Sequence, residues 1–369
     1  MKNFIFSIVI LAILFSAIPS ANAGKKSEAS QKSKKAAQTT ARNPYLGAIV
    51  IDAATGKVLF EDNADVKGYP ASITKLMDLM ILLEAIQSKR LSLQDQVTVT
   101  AEASRIGGSQ VYLKEHEAFS VDDLLYALIV QSANDSAVAL ALHYAGSTEA
   151  FVEQMNKRAQ ELGMKDTVFH SVHGLPPGKE QSADVSTPRD IAILCRALLK
   201  YPDTIRYTST RERSFRPDVP SPFIMRSHNH LLGHLDGCDG LKTGYFYKAG
   251  FSIAATAAKK NQRAIAVVFG SLNRKTRDAK AREILSKGLM TLVASAPPPQ
   301  SAPVIDKTKD TPEKAAQEEK AVAEAGKKDV VEIQKSTLYI IGAVVLCLVI
   351  FIVLLRVLKK KDEDGPFMR

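Results

Sequence analysis

The chain has 369 residues, 46% of them hydrophobic, and a formal net charge of +10. It is long enough to bury a full core and carry one large domain with tails, and too long for a bare peptide-binding module. Most of the positive charge sits outside the central part: Lys25, Lys26, Lys32, Lys34, Lys35 and Arg42 face only Glu28 in one short segment, and residues 43–355 carry a net charge of only +2. A central part so close to neutral has no electrostatic reason to bind nucleic acid.

Taken in chain order, Met1-Lys2-Asn3, an apolar run from Phe4 to Ile18 and the small-x-small pattern Ala21-Asn22-Ala23 predict a cleaved secretory signal peptide over residues 1–23. Residues 24–42 are Lys, Ser, Ala, Gln and Thr without apolar periodicity, which predicts a disordered basic segment. Leu46 to Ile51 and Lys57 to Phe60 flank a turn-rich Asp52-Ala53-Ala54-Thr55-Gly56 and predict a β-hairpin. A helix is expected close to Ser72, because Pro70 lies just upstream and Leu76, Leu79, Met80 and Leu83 keep a helical period. Ser120 before Asp122 and Asp123 reads as the cap of another helix. Further helices fit Ser136 to Tyr144, Thr148 to Leu162 and Thr187 to Leu199. Strands fit Gly250 to Ala255 and Ala264 to Phe269, and a closing helix fits Thr276 to Leu292. Strands, a helical middle, strands again and a last helix describe an α+β domain over residues 43–295 with an inserted helical lobe.

From Ala296-Pro297-Pro298-Pro299 the composition turns to Pro, Ala, Lys and Glu, which predicts a linker over residues 296–336. Leu338 to Leu355 contain no charged residue and are followed by Arg356, Lys359, Lys360 and Lys361. This predicts a single transmembrane helix over 337–358 and a cytoplasmic tail over 359–369, with everything earlier outside the bacterial plasma membrane, on the periplasmic side. Of the three cysteines, Cys347 falls in that helix and Cys195 in a helical core pattern, so that only Cys195 with Cys238 offers a disulfide in an oxidising compartment.

Chemistry enters at Ser72-Ile73-Thr74-Lys75. A serine and a lysine three apart on a helix share a face, and a lysine near a helix N-terminus and partly buried loses affinity for its proton, which suits it to act as a base. Lys242-Thr243-Gly244, beside a predicted strand, can offer an ammonium and a hydroxyl to a substrate carboxylate while the glycine lets a backbone approach closely. Ser132-Ala133-Asn134, at the end of an apolar helix, supplies a hydroxyl for proton relay and an amide for orienting a peptide. Each pattern is short; a solvated helix face, an ordinary charged strand end and the recurrence of Ser-x-Asn at Ser20 and Ser227 are the bland readings. Their order along one secreted chain is far more specific than any of them singly, since this series marks active-site serine enzymes that act on β-lactams and peptidoglycan.

With the stretches Tyr69 to Met77, Ser132 to Ala137 and Gly240 to Tyr245, the sequence resembles the low-molecular-mass D-alanyl-D-alanine carboxypeptidases, penicillin-binding proteins of serine peptidase family S11. The similarity runs from about Pro44 to Leu292. The resemblance implies a β-lactamase/penicillin-binding transpeptidase-like fold, an antiparallel sheet flanked by helices with an all-α lobe. It implies removal of terminal D-alanine from peptidoglycan pentapeptide, inhibition by β-lactams, and no cofactor or metal. By the same resemblance Ser72 is the acylated nucleophile, Lys75 its base and Ser132 the proton relay to the leaving D-alanine. Asn134 holds the peptide amide, Lys242 with Thr243 and Gly244 the terminal carboxylate, and the amides of Ser72 and Tyr245 form the oxyanion hole. Arg277, seven residues after Gly270, is a further substrate-binding residue. Two departures from the pattern stand out: Asp78 occupies a position where threonine is commoner, and no β-rich second domain follows the catalytic one.

Other readings are weaker. His228, His230 and His234 have a metal-like spacing but no carboxylate or cysteine to complete a site. A class A β-lactamase needs a deacylating glutamate, and residues 174–189 offer only Glu180. A D-alanyl cross-link endopeptidase uses the same residues as a carboxypeptidase. A β-lactam sensor needs more cytoplasmic chain than follows Leu355, and an inactive binding module would have no need of both Ser72 and Lys75.

Overall fold

The apolar run that begins the domain becomes a strand buried along its whole length, because it lies inside a sheet with both faces covered. The computed structural model describes residue 42 and residues 44–179 and 181–295. Met1–Ala296 make up one unit and Pro297–Arg369 a second, and only the first contains described residues. The segments read as signal peptide, linker, transmembrane helix and cytoplasmic tail, with Cys347 and Glu180, lie outside the described residues. So does the basic segment apart from Arg42, whose N–H donates to the Gly270 carbonyl at 2.7 Å.

The described elements, in order, are β1 (Gly47–Asp52), β2 (Val58–Asp62), a 3-10 turn (Ala71–Thr74), α1 (Lys75–Gln87), β3 (Gln96–Thr98), α2 (Ala101–Arg105), β4 (Ala118–Ser120) and α3 (Val121–Tyr126). A π turn (Ala127–Gln131), α4 (Asn134–Ala145), α5 (Thr148–Leu162), α6 (Pro188–Leu198) and α7 (Asp203–Thr208) complete the helical middle. Then come β5 (Glu212–Phe215), β6 (Phe223–Arg226), β7 (Cys238–Phe246), β8 (Gly250–Lys259), β9 (Gln262–Ser271) and α8 (Arg274–Ser295). Five strands form an antiparallel sheet in the order β2-β1-β9-β8-β7, while β3–β4 and β5–β6 are separate ribbons. This is the α+β arrangement expected from the sequence.

The strand period of two sorts residues between two cores. Ile49, Ile51, Ile265, Val267 and Phe269 point into a large core shared with the helical lobe. Ala48, Val50, Ala264, Ala266 and Val268 point the other way, against Ile284, Leu285 and Leu289 of α8. Alanines on this second face let the helix approach closely: a Cβ added at Gly288 would stand 2.6 Å from Val50 Cγ1. In the lobe, α1 and the first two turns of α4 are buried nearly all round, as central helices must be. Helix α5 is amphipathic and begins at Ser147, whose side chain accepts from the Ala150 N–H.

Three details emerge only in the structure. Ser72 lies in the 3-10 turn that precedes α1, not in the helix itself, because Ala71 takes a left-handed φ of +49° and interrupts the approach. Lys242-Thr243-Gly244 lie within the edge strand β7, which precedes and pairs with the strand that begins at Gly250. Two glycines and a lysine have little strand preference of their own; pairing with β8 imposes the conformation. Cys195 and Cys238 are both free: the first packs in the lobe core and the second against the α8 core, on opposite faces of the sheet.

Candidate active site

The site forms where the edge strand β7, the 3-10 turn and the helical lobe meet. Ala71 turns the chain sharply, at a cost of about 1–3 kcal/mol for a non-glycine residue at positive φ, and presents Ser72 half-buried with its neighbours Ile73 and Thr74 fully covered. The turn is clamped on two sides by glycines. A Cβ at Gly244 of β7 would stand 2.3 Å from the Pro70 carbonyl oxygen, and one at Gly174 would stand 2.1 Å from the Ala71 carbonyl oxygen. Gly174 also has a φ of +72°, so both space and conformation require glycine there.

Lys75, the first residue of α1, is completely buried. Its Nζ lies 3.3 Å from Ser72 Oγ, 2.7 Å from Asn134 Oδ1 and 2.7 Å from the His173 carbonyl oxygen. Asn134 is oriented by its other end, Nδ2 donating to the Gly107 carbonyl at 2.7 Å, so the oxygen faces the lysine. Two of the three partners can therefore only accept. They take two of the N–H bonds of Lys75, and its third position faces Ser72 Oγ, to which the ammonium donates and from which the neutral amine would accept. Burial lowers the Lys75 pKa from 10.5 to about 8, opposed by the carboxylates of Asp78, Asp184 and Asp135.

Ser132 ends the π turn with φ +62° and is 3% exposed. A π turn closing on a left-handed residue aims the side chain where a regular helix end would not. Asn134 opens α4 two residues later, and its N–H donates to the Ser109 carbonyl at 2.7 Å. Lys242 is 2% exposed, donates to the Thr243 carbonyl at 3.2 Å, and has its pKa driven well down by burial and then by the positive charges of Lys75 and Arg277. A substrate carboxylate would supply a counter-charge at Lys242, whose lowered pKa has no carboxylate among its causes. Thr243 is buried beside it, whereas the Tyr245 side chain is 53% exposed and stacks on Phe251 at 4.1 Å. Arg277 is buried, with its guanidinium bonded to Asp278 at 2.8 and 2.6 Å; it adds positive potential behind Lys242.

Other contributors were hidden from the sequence. The His173 carbonyl leaves no trace in side-chain identity. The His173 ring is itself held neutral, its pKa lowered to about 4 by burial and by Lys75. Asp135 accepts from the N–H groups of Val111, Leu113 and Ser136, fixing the loop that carries Gly107 and Ser109 against α4. His228 is likewise lowered to about 4 by burial and by Lys242, Arg274 and Arg277. Among the described residues no group of three His, Cys, Asp or Glu side chains is placed to hold a metal.

Residues 30–273 match the D-alanyl-D-alanine carboxypeptidase family of peptidases, S11. The chain belongs to this family. Among relatives of this S11 chain, D-alanyl-D-alanine carboxypeptidase DacF of Bacillus subtilis is 35% identical over 77% of the chain and 70% of its own length. DacC of Escherichia coli is 36% identical over 69% of the chain and 64% of its own length, so the match spans under two thirds of that relative. The solved structure of penicillin-binding protein D2 from Listeria monocytogenes, in its ampicillin-bound form, superposes with a TM-score of 0.60 at 30% identity, covering 67% of this chain and 97% of that one.

Proposed function

We propose that the protein is a serine-type D-alanyl-D-alanine carboxypeptidase that removes the terminal D-alanine from peptidoglycan pentapeptides through an acyl-enzyme on Ser72, and that β-lactams inhibit it by acylating the same oxygen. The observation that carries this reading is the set of partners around Lys75, which suits a neutral amine facing Ser72 Oγ. In the proposed reaction the substrate carboxylate sits at Lys242 and Thr243. Ser72 Oγ forms a bond to the penultimate carbonyl carbon while Lys75 Nζ takes its proton, and the Ser72 and Tyr245 amides stabilise the oxyanion. Asn134 serves both the lysine and the peptide amide. Ser132 delivers a proton to the departing D-alanine, and water then releases the shortened peptide. Arg277 supports the potential at Lys242 from behind.

Incubation with a pentapeptide ending in D-Ala-D-Ala and, separately, with a D-alanyl cross-linked dimer tests the reading. Free D-alanine from the pentapeptide is expected, and Ser72→Ala should abolish it. Cleavage of the dimer alone would move the assignment to an endopeptidase. With penicillin, a stable mass adduct on Ser72 is expected; rapid drug turnover would instead favour a β-lactamase.

We further propose a single-pass location in the bacterial plasma membrane with the catalytic domain on the periplasmic side. The support is the signal-like start and the uncharged run Leu338 to Leu355; among the described residues no helix is long and apolar enough to cross a membrane. In spheroplasts, external protease should remove the catalytic domain and leave a membrane-embedded fragment.

A further inference from the structure

One exposed side chain beside the site has no role in the reaction above. Tyr112 is 64% exposed, and its backbone takes a left-handed φ of +57°. Among the described residues no other phenylalanine or tyrosine has a positive φ, a conformation that a bulky side chain adopts only under constraint. The constraint comes from both sides. The Val111 and Leu113 N–H groups donate to Asp135 Oδ2 at 3.1 and 3.0 Å, and Arg216 donates to the Val111 and Tyr112 carbonyls at 2.9 and 3.0 Å. Arg216 is itself fixed by Glu117 and lies over the rings of Phe119 and Phe215. The same loop grips the site. Asn134 donates from its N–H to the Ser109 carbonyl and from Nδ2 to the Gly107 carbonyl, both at 2.7 Å, and Ser109 Oγ donates to the Gln131 carbonyl at 2.8 Å, next to Ser132. Residues 107–113 therefore form one wall with Ser132 and Asn134. The Tyr112 ring meets Phe223 of β6 edge-on, with centroids 5.8 Å apart, which braces it while most of its surface stays open. A lone exposed aromatic is ordinary; one held rigidly on a strained backbone, on this wall, calls for a partner.

We propose that Tyr112 is a specificity-determining residue whose ring packs against the aliphatic side chain of the residue that precedes D-Ala-D-Ala in the substrate. In the reaction above the substrate carboxylate lies at Lys242, the penultimate carbonyl at Ser72 and the peptide amide at Asn134. The chain upstream of that amide then leaves along the wall that carries Tyr112. An aromatic ring offers a broad apolar surface with its polar hydroxyl at the tip, which suits a long aliphatic side chain better than a hydrogen or a methyl group. Because the loop is already fixed, the contact costs little ordering when the peptide binds. The inference rests on the acyl-enzyme reading of Ser72, since that reading sets the direction in which the peptide runs.

The test is D-alanine release by the full-length protein from acetyl-norleucyl-D-Ala-D-Ala and from acetyl-glycyl-D-Ala-D-Ala, two peptides that differ only in the side chain at issue. The ratio of their kcat/KM values is measured for the wild type, Tyr112→Ala and Tyr112→Phe. The wild type is expected to prefer the norleucyl peptide, and Tyr112→Ala to reduce that preference about 3- to 10-fold, the range for losing one well-placed aromatic contact. Tyr112→Phe keeps the ring and should keep the preference. Tyr112→Gln stands in if the Ala variant does not fold. An unchanged ratio in Tyr112→Ala, an equal fall for both peptides, or a preference lost in Tyr112→Phe as well would overturn the contact and leave the carboxypeptidase reading intact. If the wild type releases D-alanine from neither peptide while penicillin still labels Ser72, the carboxypeptidase reading itself falls, and the contact with it.

Discussion

At Lys75 three contacts determine which protonation state is useful. Two partners that only accept fix the N–H bonds of an amine, and burial brings the pKa to about 8. In the proposed mechanism the neutral form is the base, so acylation by penicillin should rise with pH through about 8 and flatten above it; a stopped-flow pH profile checks this. A base left unperturbed at 10.5 would still be climbing two units higher. Lys242 is tested by Lys242→Gln. Loss of a charge-assisted hydrogen bond to carboxylate is worth about 1.5–3 kcal/mol, so kcat/KM for the pentapeptide should fall about 10- to 100-fold, with thermal stability preserved or raised because a buried cation is removed. At this scale much was legible in the sequence: Ser72, Lys75, Asn134 and Lys242 announced themselves by spacing. The His173 carbonyl and the unpartnered state of Asp78 did not, since hydrogen bonds to backbone and the absence of a donor depend on what the fold brings alongside.

The elements that build the site are held by close approaches between distant parts of the chain. Gly174, from the loop after α5, presses on the carbonyl of Ala71 and keeps the 3-10 turn in its left-handed entry. Gly174→Ala should lower stability by about 1–3 kcal/mol, as overpacking does, and reduce penicillin labelling of Ser72 much further than the loss of folded protein explains. Denaturant midpoints and labelling rates measured on the same samples separate the two effects. The helices that carry strong periodicity and caps were legible: Thr148–Leu162 has the bounds that its pattern predicts. The short ribbons β3–β4 and β5–β6 and the edge strand β7 were not, because three- or four-residue strands and a Lys-Thr-Gly strand owe their conformation to pairing partners.

Over the whole described domain, a sheet covered on one face by α8 and on the other by the lobe leaves Ser72, Ser132 and Lys242 at the seam between sheet and lobe. A chain running from residue 43 to Ser295 should unfold in one transition and label with penicillin at the full-length rate; two transitions, or a rate lost on truncation, would show that the remaining residues are needed for the fold. By itself the sequence determined the α+β class and singled out Ser72 and Lys75 as the candidate reactive pair, because chemical type and spacing are written locally, whereas the sorting of Ile49 from Ala48 and Val267 from Ala266 between two cores came from the sheet. Only the tertiary structure decided that Ser72 stands on a strained turn, that Asn134 and the His173 carbonyl hold Lys75 Nζ facing it, and that Asp78 is buried without a donor. Those facts arise where segments about 60 and 100 residues apart are packed together, and a hydrogen bond or a withheld one exists only once both sides are in place.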